Sequence, residues 1–223
     1  MTMEEIFLYS SNIGTAKIAM MMGFETQYYF LKKLGFFDQL SLEINEKAIP
    51  ILPKDRIWSD VVVSTISYGH GISVTPVHLV EGFSSIIGNG RLCKMTLVKG
   101  KNDNNTREKI FSDDTVFKMR YLLGRAVTHG TGKKAMINGY SIGGKTGSAD
   151  KVISGMYNKN KVVTSFVAGF PIVDPKYVVL VMLDEPKSIS GSERFTGGHL
   201  SAPIVKDIIT EIAPMLGVSP LNK

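Results

Sequence analysis

Residues 162–170 and 177–183 are two runs rich in β-branched and aromatic side chains, separated by a turn through Pro171, Asp174 and Pro175. Runs of this length bounded by turn residues read as strands. A connector this short joins them as antiparallel neighbours, because a parallel crossover needs a dozen or more residues. The pair is predicted to be a hairpin of adjacent central strands. Residues 94–99 alternate polar and apolar side chains and predict a further strand, while 100–108 and 153–160 read as polar loops.

Helix signals fill most of the remaining chain. Thr2-x-x-Glu5 has capping-box spacing ahead of Ile6, Phe7 and Leu8, which predicts a short helix up to Tyr9. Residues 13–22 and 25–34 read as helices ended by Gly23 and Gly35, since Gly takes positive φ at helix C-termini. Thr75 and Pro76 read as N-cap and first helical residue, with Val80, Phe83 and Ile87 following at helical spacing. Ser112 opens a helix that turns Val116, Met119, Leu123 and Val127 to a core and ends at Gly130. A last helix starts near Ser201 and carries Ile204, Val205, Ile208, Ile209 and Ile212. Helices first, then strands with a closing helix, predict an α+β fold with helices packed on an antiparallel sheet.

Composition excludes several classes. With 43% apolar and 21% charged residues, the chain is neither disordered, coiled-coil nor collagen-like. Its apolar stretches, such as 18–24 and 177–183, fall short of the roughly 20 residues that span a bilayer. Met1-Thr2-Met3-Glu4-Glu5 lacks the basic and apolar regions of a signal peptide. The formal charge is +6, but the basic residues are dispersed, and nucleic acid is not an expected partner. Cys93 stands alone, and His70, His78, His129 and His199 lie too far apart for metal-ligand spacing, so no metal or cofactor is expected.

Gly139-x-x-x-x-Gly144-Lys145-Thr146 satisfies the phosphate-loop pattern letter for letter. That loop works only when a helix begins right after the Thr and aims its N–H groups at the anion. Here Gly147, Ser148 and Asp150 follow, and no helix of useful length can be read. A small nucleotide-binding protein therefore stands as a minor alternative.

Lys145-Thr146-Gly147 has a second reading, as an edge strand facing a cleft. Lys supplies a cation, Thr a hydroxyl, and Gly lets a ligand backbone lie close. Upstream, Ser10-Ser11-Asn12 sits between two predicted helices. With Ser-x-x-Lys, these are the three motifs of the penicillin-recognising serine acyltransferases. The surroundings add specificity: Ser10-Ser11-Asn12-Ile13-Gly14 before an apolar helix; Trp58-Ser59-Asp60; residues 67–76 leading into a helix; residues 138–149 around Lys145; Gly169-Phe170-Pro171; and Phe195-Thr196-Gly197-Gly198 before Ser201-Ala202-Pro203. Across essentially all 223 residues the chain resembles the class B penicillin-binding proteins, the monofunctional peptidoglycan D,D-transpeptidases, and their cell-division (septal) type in particular.

The resemblance implies a penicillin-binding transpeptidase or serine β-lactamase-like fold over residues 1–223 as a single domain, N-terminally incomplete. It implies a serine that attacks the penultimate D-Ala carbonyl of a stem peptide, and that β-lactams acylate. Ser10 would relay a proton, and Asn12 would hold the substrate amide and the catalytic lysine. Lys145 would add positive potential and orient Ser10. Thr146 and Ser148 would bind the terminal carboxylate, with Gly147 allowing close approach and the Ser148 N–H serving the oxyanion hole. Ser-x-x-Lys itself occurs once, at Ser148-Ala149-Asp150-Lys151, on the same strand as Lys145. The nucleophile is therefore expected outside these residues, along with a membrane anchor that would hold the domain on the periplasmic face. The chain alone is expected to be inactive and to self-associate through exposed core surface. Stem peptides, β-lactams and divisome proteins are the implied partners of the whole protein. A non-catalytic cell-wall or divisome binding module is the main alternative.

Overall fold

A computed structural model describes residues 1–54, 57–100, 107–153, 155–187 and 196–221. They form two compact units, Met1–Phe117 and Lys118–Lys223.

In the first unit, α1 (Met3–Leu8) is closed by the full Thr2/Glu5 capping box. The two helices predicted over 13–34 join into α2 (Asn12–Lys33), kinked at Gly23, where φ is 79°. Gly14 permits the close approach of α1 to α2, since a Cβ there would lie 2.6 Å from the Ile6 side chain. Helix α3 (Asp60–Ser67) was not predicted. It is only eight residues long, and its N-cap Ser59 sits in a segment whose apolar run Val61-Val62-Val63 has no helical period. Its buried residues Val63 and Ile66 join Trp58 and Ala19 in one cluster, ringed by Phe24, Tyr28 and Phe37. Helix α4 (Pro76–Ile87) starts at the predicted Thr75 cap. The Nε2 of His78 meets the Asp38 carbonyl at 2.9 Å; a carbonyl only accepts, so Nε2 carries the proton and Nδ1 faces the Thr75 hydroxyl.

The strand predicted over 94–99 is a correction: those residues form no ladder. Their backbone is held by carboxylates instead, Met95 N–H donating to Glu81 and Leu97 N–H to Glu43. These residues are anchored by the side chains of Glu81 on α4 and of Glu43 outside it. Most of the polar loop predicted at 100–108 lies outside the described residues.

Helix α5 (Asp113–Thr128) starts after the predicted Ser112, and its residues from Lys118 onward belong to the second unit. There β1 (Gly143–Ile153), β2 (Met156–Phe170) and β3 (Tyr177–Asp184) form an antiparallel sheet in the order β1-β2-β3. β2 and β3 are the predicted hairpin, with Phe166 opposite Val181, though among the described residues β3 is at the edge. The loop predicted at 153–160 is instead the far end of the β1–β2 hairpin, in which Ile153 pairs with Met156. Polar composition misled there, because a projecting hairpin exposes both faces and needs no apolar alternation.

Helix α6 (Ser201–Met215) packs against β2 and β3. Strand periodicity buries Thr164, Phe166, Ala168 and Phe170 on one face of β2, each 0% exposed. Helical periodicity sets Ser201, Val205, Ile209 and Ala213 of α6 in one stripe, also fully buried. The polar pair in this core satisfies itself, since the Thr164 and Ser201 hydroxyls are 3.0 Å apart. The fold is α+β, as expected.

Candidate active site

The chemistry-bearing residues of the second unit lie on β1. Lys145, Thr146, Gly147 and Ser148 pair with Val167, Phe166, Ser165 and Thr164 of β2, which leaves the other edge of β1 open among the described residues. Phosphate-loop chemistry is absent from this geometry. Thr146 is mid-strand, the strand continues to Ile153, and the would-be feeding strand at 135–137 begins in a single 3₁₀ turn, Lys133–Ala135.

Thr146 and Ser148 are two residues apart and so project to the same side of β1. The Gly197 N–H donates to the Ser148 Oγ at 3.0 Å. The Thr131 Oγ1 lies 2.9 Å from the Thr146 Oγ1. Thr131 had no place in the sequence reading. Its signal is local: Gly130-Thr131-Gly132 sets a hydroxyl between two glycines just past the end of α5. Gly197 must be glycine, because a Cβ would collide with the Ser165 carbonyl and stand 2.6 Å from that of Gly147. Its backbone lies directly against β1.

Burial lowers the Lys145 pKa from 10.5 to about 8. A desolvated ammonium loses its proton more readily, so Lys145 is mostly charged at neutral pH yet close enough to exchange protons. Lys151, the lysine of the lone Ser-x-x-Lys, behaves oppositely. Its Nζ lies 2.8 Å from Glu185 and 2.9 Å from Asp184, and hydrogen bonds to Glu185 and Asp184 raise its pKa. An ammonium held charged cannot act as the base for Ser148.

In the first unit, Ser10 joins α1 to α2 with φ 52°, a left-handed conformation that costs a non-glycine residue of order 1 kcal/mol. Ser11 caps α2 by accepting from the Gly14 N–H at 3.1 Å, so Asn12 becomes the first residue of the helix. The Ser-x-Asn motif is thus a tight helix–helix corner. Asn12, Ile13, Ala16, Lys17, Met20 and Met21 line one wall of a cavity of about 650 Å³, with Ser64 and Tyr68 opposite. Ile13 and Met21 are 74% and 87% exposed. No cluster of His, Cys, Asp and Glu that could hold a metal occurs among the described residues.

The antiparallel sheet backed by a C-terminal helix carries Lys-Thr-Gly on an open strand, and Ser-x-Asn opens a helix; these are two of the three motifs of the penicillin-recognising serine acyltransferases. Residues 1–210 match the penicillin binding protein transpeptidase domain, and the chain belongs to that family. It is 34% identical over 231 residues to the probable peptidoglycan D,D-transpeptidase FtsI of Caulobacter vibrioides, covering 98% of this chain and 38% of that protein. Stage V sporulation protein D of Bacillus subtilis is 33% identical over 98% of this chain and 35% of its own length. The chain thus spans little more than a third of these relatives. Among solved structures, the transpeptidase domain of Burkholderia pseudomallei penicillin-binding protein 3 superposes with a TM-score of 0.89 at 31% identity, covering 100% of this chain and 67% of that one. Penicillin binding protein 3 of Mycobacterium tuberculosis, complexed with aztreonam, gives 0.85 at 25% identity over 100% and 53%.

Proposed function

We propose that these residues are the C-terminal part of the transpeptidase domain of a septal peptidoglycan D,D-transpeptidase, which cross-links stem peptides by serine acyl transfer. In that reaction a serine oxygen bonds to the penultimate D-Ala carbonyl carbon, and the bond to the terminal D-Ala nitrogen breaks. The leaving amine takes a proton, and the acyl group then passes to an amine on a second strand. The observation that carries the reading is the pair of hydroxyls on β1, Thr146 and Ser148, beside a lysine of lowered pKa. Two hydroxyl donors and a cation suit a terminal carboxylate. Gly147, between them, is glycine because a Cβ there would collide with the Ser165 hydroxyl of β2.

In this reading Ser10 relays a proton and Asn12 hydrogen-bonds the substrate amide. Lys145 supplies positive potential, and the Ser148 N–H is one oxyanion donor. The nucleophile is a serine outside the residues described, because the Ser148 hydroxyl is engaged by the Gly197 N–H and the lysine of its Ser-x-x-Lys is committed to Asp184 and Glu185. Stem peptides and β-lactams are the ligands, and divisome proteins the partners, of the whole protein. The cross-linking reaction takes place outside the cytoplasmic membrane, so the domain works there, tethered through a segment N-terminal to these residues. No described helix is long and apolar enough to cross a membrane.

The test is fluorescent penicillin with intact mass. The complete gene product is expected to take one acyl adduct that Lys145→Ala lowers at least a hundredfold, by analogy with loss of one transition-state donor. The 223-residue chain is expected to take none. A complete protein that binds stem peptides without labelling would instead be a binding module.

A further inference from the structure

We propose that Thr131 is a positioning residue for carboxylate recognition, donating its hydroxyl proton to Thr146 so that the Thr146 proton faces the ligand. The inference deepens the reading of β1 as a peptide-carboxylate site and rests on it.

A hydroxyl has one proton and two acceptor lone pairs. It serves an anion only when its proton points at that anion. A neighbouring donor that occupies an acceptor lone pair enforces this orientation. Ser148 has such a donor, since the Gly197 N–H 3.0 Å from its Oγ can only donate. The Ser148 proton is thereby left for a ligand. Thr146, two residues earlier on the same side of β1, has the Thr131 hydroxyl at 2.9 Å in the equivalent place. Either hydroxyl of the Thr131–Thr146 pair can be the donor. A carboxylate, which only accepts, selects the direction in which Thr131 donates.

Thr131 is held where this role requires. The N–H groups of Gly130 and Gly132 both donate to the Ala126 carbonyl at the end of α5, at 3.1 and 3.0 Å. Gly132 lies against the Phe166 ring, where a Cβ would stand 3.1 Å from the ring edge, and Phe166 is fully buried. Gly198 closes over the other side, where a Cβ would come within 2.5 Å of the Thr131 carbonyl. The turn is pinned by core packing, while the Thr131 residue itself is exposed. Its replacement should therefore leave the fold intact.

The test uses the 223-residue chain, isotopically labelled, with Thr131→Val and Thr131→Ser. Three-bond couplings to the Thr146 methyl carbon read its χ1 rotamer without any ligand. A single rotamer is expected in the parent and in Thr131→Ser, and averaging in Thr131→Val. A fixed Thr146 rotamer in Thr131→Val overturns the proposal. Chemical-shift titration with N-acetylated Lys-D-Ala-D-Ala and with its C-terminal carboxamide supplies the second readout. Thr131→Val is expected to weaken the acid about tenfold and leave the amide unchanged, with Ser restoring the acid, as loss of one hydrogen bond to a charged ligand predicts. Equal loss for acid and amide, or no loss, overturns the positioning role. A parent chain that does not distinguish acid from amide defeats the carboxylate reading itself, and the rotamer result then shows separately whether Thr131 orients Thr146.

Discussion

The Lys94 Nζ lies 3.0 Å from the Glu81 Oε2, and that carboxylate is 1% exposed. The other oxygen of Glu81 accepts from the Met95 N–H at 2.8 Å, and the Ser85 hydroxyl, one turn along α4, accepts from the Cys93 N–H at 2.8 Å. Residues 93–95 are therefore attached to α4 by side chains where a sheet would have used backbone ladders. Glu81→Ala removes the acceptor from a partly buried ammonium and a backbone N–H together. A loss of about 3 kcal/mol follows from breaking one partner of a buried ion pair. Glu81→Gln keeps an acceptor and should lose about 1–2 kcal/mol. Urea midpoints for both variants check the order, and an unchanged midpoint for Glu81→Ala would falsify it.

Lys145 makes stability depend on pH in a defined direction. Its folded pKa of about 8 lies below the ordinary 10.5, so the folded state binds fewer protons than the unfolded chain between these values. Its contribution to stability must then rise with pH across that window and stay at its minimum below about 8. Other lysines and the tyrosines titrate nearby, so the informative quantity is the difference from Lys145→Met. The parent is expected to be less stable than Lys145→Met at pH 7, with the gap closing toward pH 10. A gap that widens with pH contradicts the lowered value. Selective reaction of the Lys145 amine near pH 8 is a second measure.

Gly197 and Gly155 separate contact from conformation. A Cβ at Gly197 would collide with the Ser165 carbonyl, whereas at Gly155 (φ +83°) nothing lies within 4 Å. Gly155→Ala should lose about 1 kcal/mol, the cost of a left-handed backbone for an L-residue. Gly197→Ala must displace the backbone against β1 and should lose more than 2 kcal/mol, as overpacked sites do. Amide shifts at Ser148 and Ser165 should move only in the second variant. Comparable thermal midpoints for the two would count against the close packing.

Ile13, Met20 and Met21 present apolar surface beside Asn12, at 74%, 41% and 87% exposure. Contiguous exposed apolar surface favours association. The isolated chain should self-associate as concentration rises, and Met21→Glu should reduce that association several-fold. Light scattering from a concentrated, monodisperse monomer would rule this out.

Much of the fold was legible locally. The Thr2 and Thr75 caps, the glycine stop after α2, the β2–β3 hairpin and the existence of α6 all rest on interactions within a few residues, and pattern alone finds such features. The residue types of the candidate site were legible too, since Ser10, Asn12, Lys145, Thr146 and Ser148 lie in short motifs. Where sequence reading failed, distant contacts had replaced local ones. Residues 94–99 alternate like a strand, but Glu81 and Glu43 anchor them from 14 and 54 residues away. In the polar 153–160 segment, Ile153 and residues 156–160 are strand because the partner across the hairpin supplies hydrogen bonds.

By itself the sequence determined the helices and strands whose caps, turns and periodicity are local, and which motif residues are available for chemistry. Only the tertiary structure decided the direction and state of those groups. It set Gly197, 49 residues along the chain, to donate to Ser148, and Thr131 to meet Thr146 from 15 residues away. It also buried one lysine of β1 and paired another with two carboxylates. Proton positions and pKa values depend on desolvation and on neighbours brought together by packing, which a linear pattern does not encode.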